Sequence, residues 1–445
     1  MLRTLRNLLL PLLLLAVSAS ALERQPNADY RARRVALSRK ANGGVVVLFA
    51  GVEAEGPNAL YGFRQDNNFY YLTGLSEPGA AVLIAPEVAG DKAHPYTEIL
   101  FLPGRNPSQE KWTGPRLGPG DPEAKQATGF DRVEILDKLR DGLTRVLPQP
   151  HATVYSDLPA LQEASSASTP LAWLHRANAF PVYVSVQDVK PMLDEMRRVK
   201  DAGEIALIRK ATEASMAGHQ AAMHALKPGM TEREIEALVQ YEFQKRGCER
   251  PAYAPIVGAG FNSTVLHYSD DSAPIQAGDV LLIDSGGEYS MYATDITRTL
   301  PASGRFTPRQ REIYNIVLGA QEAAIKAFRA GHSTLSGDDR DSLYNIAYNY
   351  INSHGKDLHG KPLGQYFIHG LGHFVGLSVH DVGGNTVALD QGMVFTLEPG
   401  IYIPEERLGV RIEDMFYVDQ SGALVRLTAG LPRTAEEVEA AMAAR

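Results

Sequence analysis

Carboxylates and histidines recur in the C-terminal half of this chain, inside stretches that otherwise read as buried β-structure. Val280 to Leu300, VLLIDSGGEYSMYATDITRTL, holds Asp284 and Asp295. Phe367 to Gly384, FIHGLGHFVGLSVHDVGG, holds His369, His373 and His380. Met393 to Gly400, MVFTLEPG, holds Glu398, and Gly409 to Met415, GVRIEDM, holds Arg411 and Glu413. Taken singly, each has an ordinary use: a histidine in a glycine-rich strand as a hydrogen-bonding group, a glutamate before Pro-Gly as a turn residue. Taken together they are three histidines, an arginine and four carboxylates in mostly apolar surroundings. A buried carboxylate is costly unless a partner compensates its charge, and a metal ion is the usual one.

Donor type narrows the metal. Oxygen-rich sites with one imidazole suit Mn²⁺, Co²⁺, Fe²⁺ or Zn²⁺ in a two-metal arrangement, not a thiolate zinc site. His369 and His373 are four apart, but Gly370-Leu371-Gly372 between them lacks the glutamate of H-E-x-x-H and disfavours a helix. The chain has no G-x-S-x-G elbow, no P-loop and no G-x-G-x-x-G turn. Cys248 is its only cysteine, which excludes an intrachain disulfide framework and argues against cysteine-based zinc or nucleophile chemistry.

The elements that must position these residues follow from periodicity. In Val280–Leu300 a two-residue turn at Ser290-Met291 sets Tyr289 opposite Tyr292 and Asp284 opposite Thr297. Asp295 then lies on the same face, a diagonal neighbour roughly 7–8 Å away. A three-residue turn would put one aspartate on the wrong face. Met393–Ile403 and Val410–Val418 read as further strands, with Phe395, Leu397 and Ile412 facing away from the polar set. Helix is expected over Asp194–Met223. Thr231 with Glu234, and Thr307-Pro308 with Gln310, are capping boxes that open two more helices, and residues 434–445 form a terminal one.

Upstream the texture differs. Ala32–Lys40 reads as a helix, and Val45–Ala50, Asn67–Leu72, Ala80–Ile84, Glu98–Leu102 and Val182–Val186 read as strands. Pro103–Gly120 reads as a loop around Trp112, while Val133–Val146 and Asp157–Ala164 are helix-like. Strands alternating with helices favour an α/β domain over 22–190, and helices followed by hairpins favour an α+β domain over 191–445. At 445 residues, two domains are the default. A composition of 44% hydrophobic and 22% charged residues is that of a globular protein, and a net charge of −8 argues against nucleic acid or an anionic membrane as partner.

Residues 1–21 predict a signal peptide. Arg3 and Arg6 precede the apolar run Leu8–Val17, which ends in Ala19-Ser20-Ala21. The run is too short for a bilayer, which needs ~20 residues, so no stable membrane anchor is expected. No cysteine stands after it to take a lipid. The pattern predicts a periplasmic or secreted protein cleaved after Ala21.

The set IDSGGEY…ATDITRT, HGLGHFVGLSVHDVG, TLEPGIYI and VRIED resembles the proline-specific metallopeptidases of the creatinase, or pita-bread, fold, which include aminopeptidase P and prolidase. FRQDNNFYYLTG resembles the N-terminal domain of aminopeptidase P, so the resemblance covers nearly the whole chain after residue 21. It implies Asp284, Asp295, His373, Glu398 and Glu413 as ligands of two divalent ions, Mn²⁺ first, with Zn²⁺ or Co²⁺ as alternatives. Asp295 and Glu413 would bridge both ions, Asp284 would complete one, and His373 with Glu398 the other. It further implies that His267, His369 and His380 line the substrate site, that Arg411 orients Glu413 or meets substrate, and that Glu398 is the base. The implied reaction removes a first residue that precedes proline. An X-Pro dipeptidase is the nearest alternative, a methionine aminopeptidase fits less well, and a non-catalytic peptide-binding module is the alternative of another class. Trp112, in EKWTGPRLG, resembles a family tryptophan that reaches a neighbouring subunit, which implies a homo-oligomer, dimer or tetramer.

Overall fold

A computed structural model of the chain describes residues 22–53, 61–86, 96–147, 151–158, 183–338 and 342–444. The expected signal segment, and all but the first two residues of the helix expected over 157–164, lie outside the described residues.

The first part is built on one mixed sheet. Its strands are β1 (Val45–Phe49), β2 (Ala81–Pro86), β3 (Tyr96–Leu102), β4 (Val133–Ile135), β5 (His151–Ser156) and β6 (Tyr183–Asp188), in the order β4-β3-β2-β1-β5-β6. Pairs β1–β2 and β2–β3 are antiparallel; β3–β4, β1–β5 and β5–β6 are parallel. The continuous apolar runs VVVLF and AVLIA arise because both faces are covered. Val46, Leu48, Val82 and Leu100 pack on one side, and Val45, Val47, Leu83 and Phe101 on the other.

Two expectations here are corrected. Asn67–Leu72 is not a strand but most of a helix, Asn67–Thr73. Asp66 caps it by accepting from Phe69 N at 2.8 Å, and Gly74 at φ 63° ends it. Every residue from Asn68 to Thr73 is buried, so apolar periodicity could not distinguish the two forms. Val133–Val146 opens as β4 and turns helical only from Leu136. Pro103–Gly120 is a loop apart from one helical turn, Glu110–Thr113.

In the second part, helices Ala202–Ala225, Glu232–Lys245, Pro308–Ala327, Leu343–His354 and Ala435–Ala443 pack around short strands. Thr231 and Thr307 form the expected capping boxes, and Asp201 and Thr434 form two more. The single helix expected over 194–223 is two, Lys190–Arg198 and Ala202–Ala225, because Val199 is extended and Asp201 starts the second.

The long strands are also divided. Val280–Tyr289 is β9 (Val280–Asp284) and β10 (Gly287–Tyr289), and Tyr292–Leu300 is β11 (Tyr292–Ala293) and β12 (Thr297–Pro301). Met393–Ile403 is β13 (Val394–Leu397) and β14 (Gly400–Ile403), and Val410–Val418 belongs to β15 (Leu408–Arg411) and β16 (Asp414–Val418). With β7 (Arg250–Pro251), β8 (Ile256–Ala259) and β17 (Leu424–Arg426) they form sheets β11-β10-β7, β12-β9-β8 and β13-β16-β17 and the pair β14-β15. The histidine stretch 367–384 is not a strand: it is irregular, with one bridge, Phe374 to Phe395.

The hairpin register is the one that parity requires, with Tyr289 opposite Tyr292 and Asp284 opposite Thr297. Ser290 and Met291 both have positive φ, 49° and 72°, as in a primed two-residue turn whose twist matches the strands. Non-glycine residues hold that conformation because Ser290 N donates to Glu249 and Ser290 Oγ accepts from Glu23 N at 2.8 Å. The two parts share a core: Val46, Val82, Phe69 and Tyr70 from the first pack with Tyr292, Val375, Leu377 and Met415 from the second.

Candidate metal centre

The acidic residues sit where the strands break. Asp284 ends β9, Asp295 lies between β11 and β12, Glu398 between β13 and β14, and Glu413 between β15 and β16. Leaving the ladder there lets side chains from four strands turn to one point. Two glycines make the approach possible. A Cβ on Gly286 would lie 2.0 Å from Thr294 O, and one on Gly372 the same distance from Thr396 O.

Ligand atoms of Asp284, Asp295 and Glu413 lie within 4.8 Å of one another, and so do those of His373, Glu398 and Glu413. Asp295, His373 and His380 form a third such set. His373 Nε2 stands 3.2 Å from Asp295 Oδ2 and 3.4 Å from Glu398 Oε1. Its Nδ1 donates to Phe374 O at 3.2 Å, which fixes the proton there and leaves Nε2 free as a ligand. All nine residues singled out above line one cavity of about 540 Å³, with Tyr253, Ile256, Leu266 and Val379 among its other walls.

This donor set fits metal ions. Burial, and then the charge of Asp284, push the Asp295 carboxyl well above the usual carboxylate range; burial and then Asp295 do the same to Glu413. Glu413 Oε1 is buried with no hydrogen-bond partner among the described residues, while its Oε2 accepts from Thr297 Oγ1 at 2.7 Å. Carboxylates so placed are each other's main electrostatic burden, and a cation removes that burden. Asp284 differs: burial opposes its charge, but Arg411 and then the Tyr253 hydroxyl hold its carboxyl below the usual range.

Arg411 lines the cavity, but its direct carboxylate partner is not the expected one. Its Nη2 bonds Asp284, not Glu413, its Nε donates to Thr297 Oγ1 at 3.0 Å, and its Nη1 donates to Tyr402 OH at 2.8 Å. It reaches Glu413 only through Thr297. Tyr402 in turn donates to His369 Nε2 at 2.8 Å, and His369 Nδ1 donates to Gly370 O at 2.8 Å. Burial lowers the His369 imidazole, keeping it neutral within that chain. The His380 ring lies 4.2 Å from that of His373, and His267 is exposed at the rim. Trp112 does not line the cavity and is 90% exposed.

Tyr253 and Tyr402 escaped the sequence reading. Tyr253 OH lies 2.6 Å from Asp284 Oδ1 and 2.5 Å from Asp295 Oδ1, so it orients both carboxylates. Its context, PAYAPIV, carries no alternation that would mark it; only a tyrosine three residues ahead of the apolar strand at Ile256 could have prompted attention.

Residues 206–420 match the family model described as metallopeptidase family M24, and residues 30–155 match that of the aminopeptidase P N-terminal domain. The chain belongs to metallopeptidase family M24. It pairs that N-terminal domain with the M24 pita-bread domain. It is 34% identical to an Xaa-Pro aminopeptidase of Haemophilus influenzae over 93% of this chain and 97% of that one. An Xaa-Pro aminopeptidase of Escherichia coli is also 34% identical, over 94% and 98%. Among solved structures, a zinc-substituted E. coli aminopeptidase P in complex with product has a TM-score of 0.82 at 31% identity, covering 95% of this chain and 99% of that one. A proline aminopeptidase P II of Yersinia pestis has a TM-score of 0.81 at 32% identity, covering 95% and 100%.

In this M24 site, Tyr253→Phe removes a hydroxyl that orients two candidate ligands. Loss of such an outer partner is expected to lower metal affinity or kcat about 10–100-fold. Metal titration alongside steady-state kinetics checks it; wild-type values in both would mean that the hydroxyl is dispensable.

Proposed function

We propose that this chain is an Xaa-Pro aminopeptidase that holds two divalent ions, Mn²⁺ by preference, and releases the first residue of peptides whose second residue is proline. One observation carries the reading: two ligand sets that share Glu413 open together into a peptide-sized cavity. The Xaa-Pro aminopeptidases of Haemophilus influenzae and Escherichia coli, to which the chain is similar, support the substrate class. Asp284, Asp295 and Glu413 would hold one ion, and His373 and Glu398 with the shared Asp295 and Glu413 the other. Bound there, the ions would polarise the scissile carbonyl and make water nucleophilic near neutral pH.

The chain's own residues do the rest. Glu398 takes the proton of the attacking water and passes it to the proline nitrogen as the C–N bond breaks. That nitrogen bears no hydrogen in the peptide and needs one to leave. Arg411 and Tyr253 hold Asp284, and Tyr402 holds the His369 ring in place at the cavity wall. The surrounding carboxylates favour the substrate's α-ammonium group by charge. The purified chain with Mn²⁺ is expected to cleave an X-Pro-X tripeptide in preference to an X-Pro dipeptide. Activity on the dipeptide alone would make it a prolidase, and no activity with any divalent ion would leave the binding-module reading.

Export rests on the sequence pattern of residues 1–21. A mature protein whose N-terminal residue is Leu22 is the expected result of sequencing the processed chain, and a retained Met1 would refute it.

A further inference from the structure

FRQDNNFYYLTG, residues 63–74, belongs to the first domain, yet its polar side chains reach into the second. Arg64 Nη2 donates to Leu377 O at 2.6 Å, and its Nε to Glu288 Oε2 at 2.7 Å. Asn67 Nδ2 donates to Ser378 Oγ at 2.7 Å, while its Oδ1 accepts from Arg64 Nη1 at 2.9 Å. Asn68 Oδ1 accepts from Arg197 Nη1 at 2.7 Å, and Arg197 Nη2 passes the link to Asp381 Oδ1 at 2.6 Å. Lys200 Nζ holds the other oxygen of Asp381 at 3.0 Å.

These bonds bracket His380. Leu377 and Ser378 precede it, and Asp381, whose side chain is 1% exposed, follows directly. Among the described residues the His380 imidazole makes no hydrogen bond of its own, so apart from its edge contact with the His373 ring its place is set by the backbone on either side. That backbone is a closed unit: Asp381 N donates to Phe374 O at 2.8 Å, and Gly376 N to Ser378 O at 3.0 Å. A Cβ on Gly376 would lie 2.2 Å from Asp381 Oδ2, so the carboxylate packs directly on the segment it anchors. Leu377 is buried in the shared core, Val379 packs against that core, and Val379 and His380 both face the cavity.

Adhesion between two domains would not require this arrangement. The apolar core already joins them, and Arg33 with Asp201 and Arg64 with Glu288 add polar bonds elsewhere, whereas the bonds to Leu377, Ser378 and Asp381 surround one imidazole. We propose that the first domain is a positioning part of the catalytic site, in which Arg64, Asn67 and Asn68 clamp residues 377–381 and so set His380 over the ligand cluster. The inference rests on the reading of the chain as an Xaa-Pro peptidase with His380 in its substrate site.

The test uses the full chain with Mn²⁺, comparing Arg64→Ala, the milder Asn67→Ala and the conservative Arg64→Lys. Amide hydrogen exchange over 374–382 should quicken in both alanine variants. For Arg64→Ala, kcat on an X-Pro-X tripeptide should fall about tenfold, the scale of one charge-assisted hydrogen bond. Arg64→Lys should recover part of the loss. On a His380→Ala background the same substitution should add less than about twofold, because residues that act through one another are not additive. Unchanged exchange over 374–382, or a full tenfold loss without His380, would overturn the clamp. A wild-type chain inactive on every Xaa-Pro peptide would instead overturn the functional reading, and exchange alone would then judge the clamp.

Discussion

Glu398→Ala is expected to lower kcat by at least about 10³-fold while the protein stays folded, within the range that positioned acid–base groups contribute. Of the four carboxylates, Glu398 is the one placed to move a proton. Its side chain is 16% exposed, against 12% for Asp284 and 8% for Asp295, and Glu413 is almost wholly buried. Asp284 is tied to Arg411 and Tyr253, Asp295 to Tyr253, and Glu413 to Thr297. Glu398 has a lone hydroxyl at 3.3 Å, from Thr396, and the two histidines His373 and His369 at 3.4 Å and 3.9 Å. Folding should survive because the side chain ends in the cavity and truncation leaves no unpaired buried charge. Kinetics and metal analysis together decide the role. A variant that regains full activity in excess Mn²⁺ would show Glu398 to be a ligand only, and one within tenfold of wild type would remove it from the chemistry.

The hairpin was legible because strand parity is rigid. Once Ser290-Met291 is the turn, Asp284 must face Thr297, and both aspartates share a face. The break that lets them converge was not legible, since VLLIDSGGEY reads as one strand and Gly286 marks the interruption only when Thr294 is known to press on it. The direct partner of Arg411 was hidden for a related reason. Two residues from Glu413, the arginine looks like that residue's partner, but the strand ends between them and the guanidinium turns across the sheets to Asp284. In Asn67–Thr73, burial on every side erased the period, and the decisive signals were the flanking Asp66 and Gly74. Tyr253 was invisible because a phenol that orients carboxylates has no spacing of its own. Motifs thus pointed to the candidate ligands, while the groups that hold those side chains depended on contacts between distant segments.

Asp295→Asn is expected to act with opposite signs on the metal-free and the metal-loaded protein. In the metal-free fold, Asp295 and Glu413 are raised by burial and by neighbouring carboxylates, so they keep protons to a higher pH than in the unfolded chain. The folded state then binds more protons, and stability must fall as pH rises from the ordinary carboxylate range, about 4, towards the raised values. Metal-free wild type should therefore melt at a lower temperature at pH 8 than at pH 5, just above the ordinary carboxylate range. Asparagine removes one of the repelling charges and offers an amide N–H to its neighbours. The metal-free variant should accordingly melt about 2–4 °C above wild type at pH 8, with a flatter pH dependence. Added Mn²⁺ reverses the order. Wild type gains stability by mass action, ~2.7 kcal/mol at a hundredfold excess over Kd, whereas the variant lacks a carboxylate placed between the two ligand sets and should gain far less. Its bound metal should fall below that of wild type, and kcat should fall about 10²-fold or more with it. Calorimetry at two pH values, with and without Mn²⁺, reads both signs. Equal metal content with unchanged melting in either state would mean that Asp295 neither bears the electrostatic burden nor binds the ion that relieves it.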